Sequence, residues 1–219
     1  MVKNVNNQTF GPKAIEAMSI PNLLQPLEQV ITWDKAFNSE EILDIISLGE
    51  MAEFQQGVIG ATKEDIDDGN SPFRHVPEVR NSDISWILPS EQSEWLYKRM
   101  QNLCAKVNLD KFQFDLEKFE VFQYGKYKEG QFYNWHIDAG PNLMVHRKLS
   151  LMVALTSPEE YEGGEICINT NGNQDDPLVL KMEPGSVIVI PSWVPHVVKP
   201  ITKGERVSLV AWVTGPKFR

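Results

Sequence analysis

Cysteine and histidine are both scarce in this chain, with 2 and 4 copies among 219 residues. Cys104 and Cys167 form no C-x-x-C pair and sit in a presumed helix and strand, so both read as reduced, buried thiols. Basic residues are outnumbered, 21 Lys and Arg against 30 Asp and Glu for a net charge of −9, and they form no cluster. That balance disfavours bulk electrostatic binding to nucleic acid. No apolar run approaches the roughly 18 residues that a membrane-spanning helix needs. The stretch Met1 to Gln8 also lacks the apolar core of a signal peptide. The expectation is a soluble, cytoplasmic protein with no membrane or nucleic-acid partner. Internal repeats and low-complexity segments are absent as well.

What the chain does contain is two amphipathic segments followed by many short β-rich runs. A strand is expected near Gln29 to Trp33. Asn38-Ser39-Glu40-Glu41 reads as a capping box opening a helix whose inner face carries Ile42, Ile45, Ile46 and Gly49. A second helix begins after Pro89-Ser90 and buries Trp95, Leu96, Met100, Leu103, Cys104 and Val107 at three- and four-residue spacings. From Phe119 onward, runs at 120–124, 131–137, 148–155, 165–168, 178–181, 186–190, 196–199 and 206–213 are separated by Gly, Pro, Asn and Asp. Strands at that spacing suit a double-sheet jelly roll, so the fold expected is mainly β with flanking helices (α+β). At this length one domain spanning 1–219 is the natural reading. It divides into an N-terminal extension (1–28), a helical and strand support (29–118) and a jelly-roll core (119–215). Residues 57 to 78 make a long irregular connection, the pattern either of a mobile lid over substrate or of a disordered segment, whereas 169 to 177 reads as a solvated turn.

The residues that carry chemistry begin with Tyr133-Asn134-Trp135-His136-Ile137-Asp138. His136 and Asp138, two apart on a strand, project from one face and can hold one metal. His196 supplies a third donor of the right kind. Two imidazoles and one carboxylate suit non-haem Fe(II) and leave positions open; three ligands with an open position also suit zinc. Arg206 and Ser208 share one strand face, while Val207 and Leu209 point the other way. A buried guanidinium beside a hydroxyl is suited to holding a carboxylate through paired, charge-assisted hydrogen bonds. Trp212 falls on the same face, where it suits either lining the pocket or, as the commoner role, packing in the core. His75 and His146 read as surface or turn residues.

H-x-D, a distal His and then Arg-x-Ser resembles the Fe(II)/2-oxoglutarate-dependent dioxygenases, and more narrowly their prolyl 4-hydroxylase-like group. Tyr127-Lys128-Glu129-Gly130-Gln131-Phe132-Tyr133 is similar to that group's approach to the first ligand. Arg147 to Leu155 followed by Glu162-Gly163-Gly164-Glu165 resembles its second core strand and G-G-E turn. Val79-Arg80-Asn81-Ser82 resembles its R-T-S strand beside the peptide groove, with Asn81 replacing Thr. Arg206 stands where animal and plant enzymes usually carry Lys, which is more like the bacterial and viral branch, whose substrates are less uniform.

The resemblance implies Fe(II) held by His136, Asp138 and His196. It implies 2-oxoglutarate with its far carboxylate on Arg206 and Ser208, contacts from Tyr127 and Ser150, and O2 as the oxidant; ascorbate is a candidate addition. Tyr127 and Ser150 equally suit packing or capping. The activity implied is hydroxylation of a protein or peptide side chain, prolyl first, with 2-oxoglutarate decarboxylated to succinate. Two alternatives stand beside it: hydroxylation of a free amino acid or small metabolite, and a non-catalytic sensor that binds metal and 2-oxoglutarate, or zinc.

Overall fold

The computed structural model describes residues 29–60, 73–140 and 142–217. The extension 1–28 and the middle of the expected lid, 61–72, lie outside the described residues. Sixteen strands lie among the described residues. The first six are β1 (Ile31–Trp33), β2 (Gln55–Gln56), β3 (Ile59–Gly60), β4 (Phe73–Arg74), β5 (Arg80–Asn81) and β6 (Asp83–Ile87). The next five are β7 (Lys118–Phe119), β8 (Phe122–Lys128), β9 (Phe132–His136), β10 (Arg147–Ala154) and β11 (Tyr161–Gly163). The last five are β12 (Ile166–Ile168), β13 (Leu178–Leu180), β14 (Val187–Pro191), β15 (His196–Val198) and β16 (Ile201–Thr214). Among the described residues two long helices interrupt them, α1 (Ser39–Met51) and α2 (Glu94–Val107).

Among the described residues all pairings are antiparallel, and they build two facing sheets of a jelly roll plus a separate two-stranded ladder of β3 and β4. The major sheet runs β1-β14-β10-β16-β8-β6-β2, with β7 and β11 also pairing with β16. The minor sheet runs β13-β12-β15-β9-β5. Alternation along the major strands separates two apolar layers. Leu149, Leu151 and Val153 of β10, with Leu209, Ala211 and Val213 of β16, face outward into the core shared with the helices. Met152 and Ala154 of β10 with Ile188 and Ile190 of β14 face inward, toward Ile166 and Ile168 of the minor sheet. Strands buried on both faces read as nearly continuous apolar runs, and Val187-Ile188-Val189-Ile190 is one.

Helix α1 starts where the capping box requires. Asn38 accepts the Glu41 amide at 2.9 Å, and the Glu41 carboxylate accepts the Asn38 amide at 2.8 Å. Two orphan donors of the first turn are thereby satisfied. The helix presses closely onto β8: a Cβ on Gly49 would collide with the ring of Tyr124. Glycine is needed there for proximity. In α2, five of the six residues expected inside are buried, and Trp95 is partly so.

Several elements differ from expectation. Strand β16 runs for 14 residues, starting before Arg206, because Glu205 to Val210 pair with β8 on one side while Tyr161 to Gly163 and Arg147 to Ala154 pair on the other. The expected run at 120–124 becomes β8 at Phe122–Lys128, and its final residues, with Lys126 and Lys128, are polar enough to hide the strand. The described ends of the expected lid are not irregular: Ile59 pairs with Arg74 and Gly60 with Phe73. Within the segment 169–177, residues 170–176 form an exposed turn, in which Asn171 Oδ1 and Asn173 Oδ1 accept the amides of residues 173 and 175 at 2.8 and 3.0 Å. No helix among the described residues is long and apolar enough to cross a membrane.

Candidate metal centre

Register carries the two histidines to each other. His136 on β9 lies opposite His196 on β15, and Asp138 follows β9 directly, its backbone amide donating to Ser192 O at 2.8 Å. One donor atom from each of His136, Asp138 and His196 falls within 4.8 Å of the others. Asp138 Oδ1 is 3.8 Å from His136 Nε2, and Oδ2 is 3.5 Å from His196 Nε2. Both rings lie against a backbone carbonyl through Nδ1, His136 with Asn134 O at 2.8 Å and His196 with Val194 O at 3.0 Å. With Nδ1 protonated toward those carbonyls, each Nε2 keeps its lone pair for the shared point, the usual arrangement of a ligating histidine.

The electrostatics of His136 and Asp138 agree with a donor role for each. Burial above all, then the neighbouring His196, pushes His136 down to about 3, so it is a neutral imidazole at physiological pH. Burial alone would raise Asp138, but His196, His136, Arg147 and a hydrogen bond from the Ser150 hydroxyl bring it down to about 2. Two imidazoles and one carboxylate form a donor set that fits Fe(II), and among the described residues no other His, Cys, Asp or Glu joins it. His75 and His146 stand apart, each against a backbone carbonyl, and do not join this cluster.

Tyr133 stacks on His136 with ring centroids 3.4 Å apart and planes 9° from parallel. Arg80, opposite Tyr133 on β5, places its guanidinium 4.6 Å from the Tyr133 centroid. The face taken by His136 has no room for it, so the tyrosine is held between the two. Three neutral acceptors fix Arg80: Ser82 Oγ at 3.0 Å, Val58 O at 3.1 Å and Gln123 Oε1. Sequence reasoning placed Arg80 on a strand beside a groove but missed the stack. The only signal for it is that Tyr133 lies three residues before His136, and a strand separation of three does not put two side chains on one face.

Ser150 lies near the metal end. Its hydroxyl is 3.0 Å from Ser192 Oγ, and it stands opposite Trp212 in the β10/β16 register. Trp212, expected in the core, is buried as expected, though outside the two large apolar clusters. The Arg147 guanidinium sits 3.9 Å over its ring, and its indole Nε1 is buried without a hydrogen-bond partner. Arg147 is itself held by both Glu120 oxygens at 2.9 and 2.7 Å and donates to Asp138 O at 3.3 Å.

Deeper in the barrel, Arg206 is 5% exposed. It donates to Ser208 Oγ at 3.3 Å and lies 5.7 Å from the centroid of the Tyr127 ring, its register partner on β8. Among the described residues no carboxylate pairs with it. A buried guanidinium in that state is suited to receive an anion, since burying an uncompensated charge is costly. The structure thus brings His136, Asp138, His196 and Ser150 to one end of the barrel interior, and Arg206, Ser208 and Tyr127 to a second group beneath them.

Residues 122–214 match the model of the 2OG-Fe(II) oxygenase superfamily. A PKHD-type hydroxylase of Alteromonas mediterranea is 38% identical over 96 residues, 41% of either chain. The chain therefore aligns with about two fifths of that curated relative's length. A PKHD-type hydroxylase of Acaryochloris marina is 26% identical over 170 residues, 78% of this chain and 75% of the relative. Among solved structures, a Pseudomonas putida prolyl-4-hydroxylase superposes with a TM-score of 0.62 at 20% identity, covering 86% of this chain and 93% of the other. A prolyl hydroxylase from Trichoplax adhaerens, in complex with a hypoxia inducible factor peptide, gives 0.66 at 18% identity, covering 85% and 84%. At these identities the structural likeness concerns the double-stranded β-helix fold.

Proposed function

We propose that this chain, whose residues 122–214 belong to the 2OG-Fe(II) oxygenase superfamily, is an Fe(II)- and 2-oxoglutarate-dependent hydroxylase of a protein or peptide side chain, with prolyl the first candidate. The observation that carries the reading is the pairing of two sites in one barrel. A His-Asp-His donor set stands at one end, and a buried guanidinium without a carboxylate partner among the described residues lies beneath it. Zinc hydrolysis would use the first and leave the second unexplained.

The chemistry Fe(II) supplies when bound is oxidative: 2-oxoglutarate and O2 are consumed, succinate and CO2 are released, and an oxygen atom enters a substrate C–H bond. The chain's own part is ligation, orientation and exclusion of water. His136, Asp138 and His196 hold the metal, with the Asn134 and Val194 carbonyls fixing the two rings. Ser150 and Ser192 steer the Asp138 carboxylate from behind. Arg206, with Ser208 and Tyr127, holds the far carboxylate of 2-oxoglutarate, and a planar guanidinium suits that task through its fixed fork of donors. Trp212 and Tyr133 wall the interior near the metal with apolar surface.

A peptide substrate is supported by the Trichoplax fold relative, solved with a peptide bound. In the same reading residues 119–215 carry the site and 29–118 brace it, within one cytoplasmic domain whose two buried thiols stay reduced. The test is succinate formation by the purified protein with Fe(II), 2-oxoglutarate, O2 and ascorbate, against proline-containing peptides and free amino acids. Peptide stimulation that disappears in Asp138→Ala is expected. Stimulation by a free amino acid alone would overturn the peptide assignment, and iron-independent or absent succinate would overturn the activity.

A further inference from the structure

We propose that Tyr161, which lies on no motif singled out in the sequence, is the end wall of the 2-oxoglutarate pocket and sets the length of 2-oxo dicarboxylate the barrel accepts; this rests on the reading of Arg206 as the carboxylate anchor. The depth scale comes from the β10/β16 register. Ser150 lies opposite Trp212, Met152 opposite Val210 and Ala154 opposite Ser208. Each step of two residues descends about 7 Å from the metal end. Below Ala154, β10 ends, with Thr156 Oγ1 accepting the Val207 amide at 2.8 Å. Arg206 therefore starts beneath the last rung, and its bond to Ser208 turns the guanidinium back up toward the metal.

From that level β11 replaces β10 as the partner of β16, and Tyr161 stands opposite Gly204. It is the diagonal cross-strand neighbour of Arg206, within reach of a long side chain, and Gly204 offers no side chain to obstruct it. The two side chains do converge. A Cβ on Gly164 would lie 3.3 Å from Arg206 Cδ and 3.4 Å from Tyr161 Cε2. Gly164 has φ +65, which glycine adopts at no steric cost, so the tight turn and the close packing both rest on it. The space that Arg206, Tyr161, Ala154, Thr156 and Met182 enclose is a cavity of about 10 Å³. That is about the room of a single water. A carboxylate seated on Arg206 has nowhere deeper to go, so a chain one methylene longer than 2-oxoglutarate is squeezed between the metal and the Tyr161 ring.

Tyr127 plays a different part. It flanks Arg206 from β8, on the opposite side of β16, and so bounds the pocket laterally.

The experiment is calorimetric binding of 2-oxoglutarate and 2-oxoadipate, without O2, to the full chain loaded with Co(II), in wild type, Tyr161→Phe, Tyr161→Ala and Arg206→Met. The readout is the ratio of the two affinities. Removing the ring should shift that ratio toward 2-oxoadipate by about tenfold or more, the scale on which a pocket distinguishes one methylene. Tyr161→Phe, which keeps the ring, should hold the wild-type ratio. An unchanged ratio in Tyr161→Ala, or a shift in Tyr161→Phe as large as in Tyr161→Ala, overturns the proposal. If Tyr161→Ala does not fold, Tyr161→Leu shortens the same wall and is judged by the same ratio. Arg206→Met separates the two layers of inference: undiminished 2-oxoglutarate binding there overturns the anchor reading itself, whereas loss there with an unchanged ratio in Tyr161→Ala overturns the end wall alone.

Discussion

Replacing Arg206 with Met should move stability and cosubstrate binding in opposite directions. Arg206 is 5% exposed, and its guanidinium has Ser208 Oγ, at 3.3 Å, as its hydrogen-bonding side chain. Without ligand its charge is desolvated and poorly compensated, and exchanging buried charged groups for apolar ones of similar volume is typically neutral or stabilising by about 1–4 kcal/mol. Taking about 1–2 kcal/mol here, and about 2–4 °C per kcal/mol for a domain of this size, the metal-free variant should melt a few degrees higher. Hydrogen bonds to charged groups contribute about 1.5–3 kcal/mol each, so losing a pair to the carboxylate costs about 3–6 kcal/mol. At 1.4 kcal/mol per factor of ten, 2-oxoglutarate should bind about a hundred- to ten-thousandfold more weakly. Thermal melts with and without Co(II) and 2-oxoglutarate measure both effects, because a ligand selective for the native state raises the midpoint with its concentration. A variant that melts well below wild type while its 2-oxoglutarate-dependent shift stays full-sized would refute the reasoning.

Other perturbations separate the metal end from the scaffold. Arg80→Met removes the cation that backs Tyr133 against His136. Outer contacts of metal ligands typically contribute about 10–100-fold to affinity, so a Co(II) titration should show a loss of that order, and unchanged affinity would count against the stack. Gly49→Ala gains helix propensity but drives a methyl group into the Tyr124 ring. Overpacking of about 1–3 kcal/mol should outweigh a propensity gain of about 1 kcal/mol, lowering the midpoint while metal affinity holds. A midpoint at or above wild type would show that α1 can shift away from β8. Burial pushes the Cys104 thiol up to about 12. It should resist a disulfide-exchange reagent at pH 8 in native protein and react after denaturation, and rapid native labelling at Cys104 would contradict its packing.

How far the sequence could be read depended on whether a feature was local. The capping box at Asn38 to Glu41 is a four-residue pattern, and it begins α1 at the expected place. The buried positions of α2 follow from helical spacing, since Leu96, Met100, Leu103, Cys104 and Val107 all lie inside. His136 and Asp138 are legible as a pair because their spacing matches the strand period. His196 was read from residue type and order, and only the β9/β15 register brings it to them. The Arg80–Tyr133–His136 stack and the meeting of Tyr161 with Arg206 depend wholly on which strands pair, which no local pattern encodes. Strand β6, Asp83-Ile84-Ser85-Trp86-Ile87, escaped notice because Asp83 and Ser85 weaken its apolar alternation, although Ser85 is buried and donates to Gly49 O at 2.7 Å. Ile84 and Ile87 are buried as well.

The most direct test of a shared iron and 2-oxoglutarate site is an anaerobic titration followed by visible absorption, in wild type and Asp138→Ala. The account predicts one Fe(II) per chain, an absorption band that develops when 2-oxoglutarate is added to the iron-loaded protein, and loss of both in Asp138→Ala. A band of undiminished intensity in Asp138→Ala, or iron binding in wild type that 2-oxoglutarate leaves spectroscopically unchanged, would contradict it.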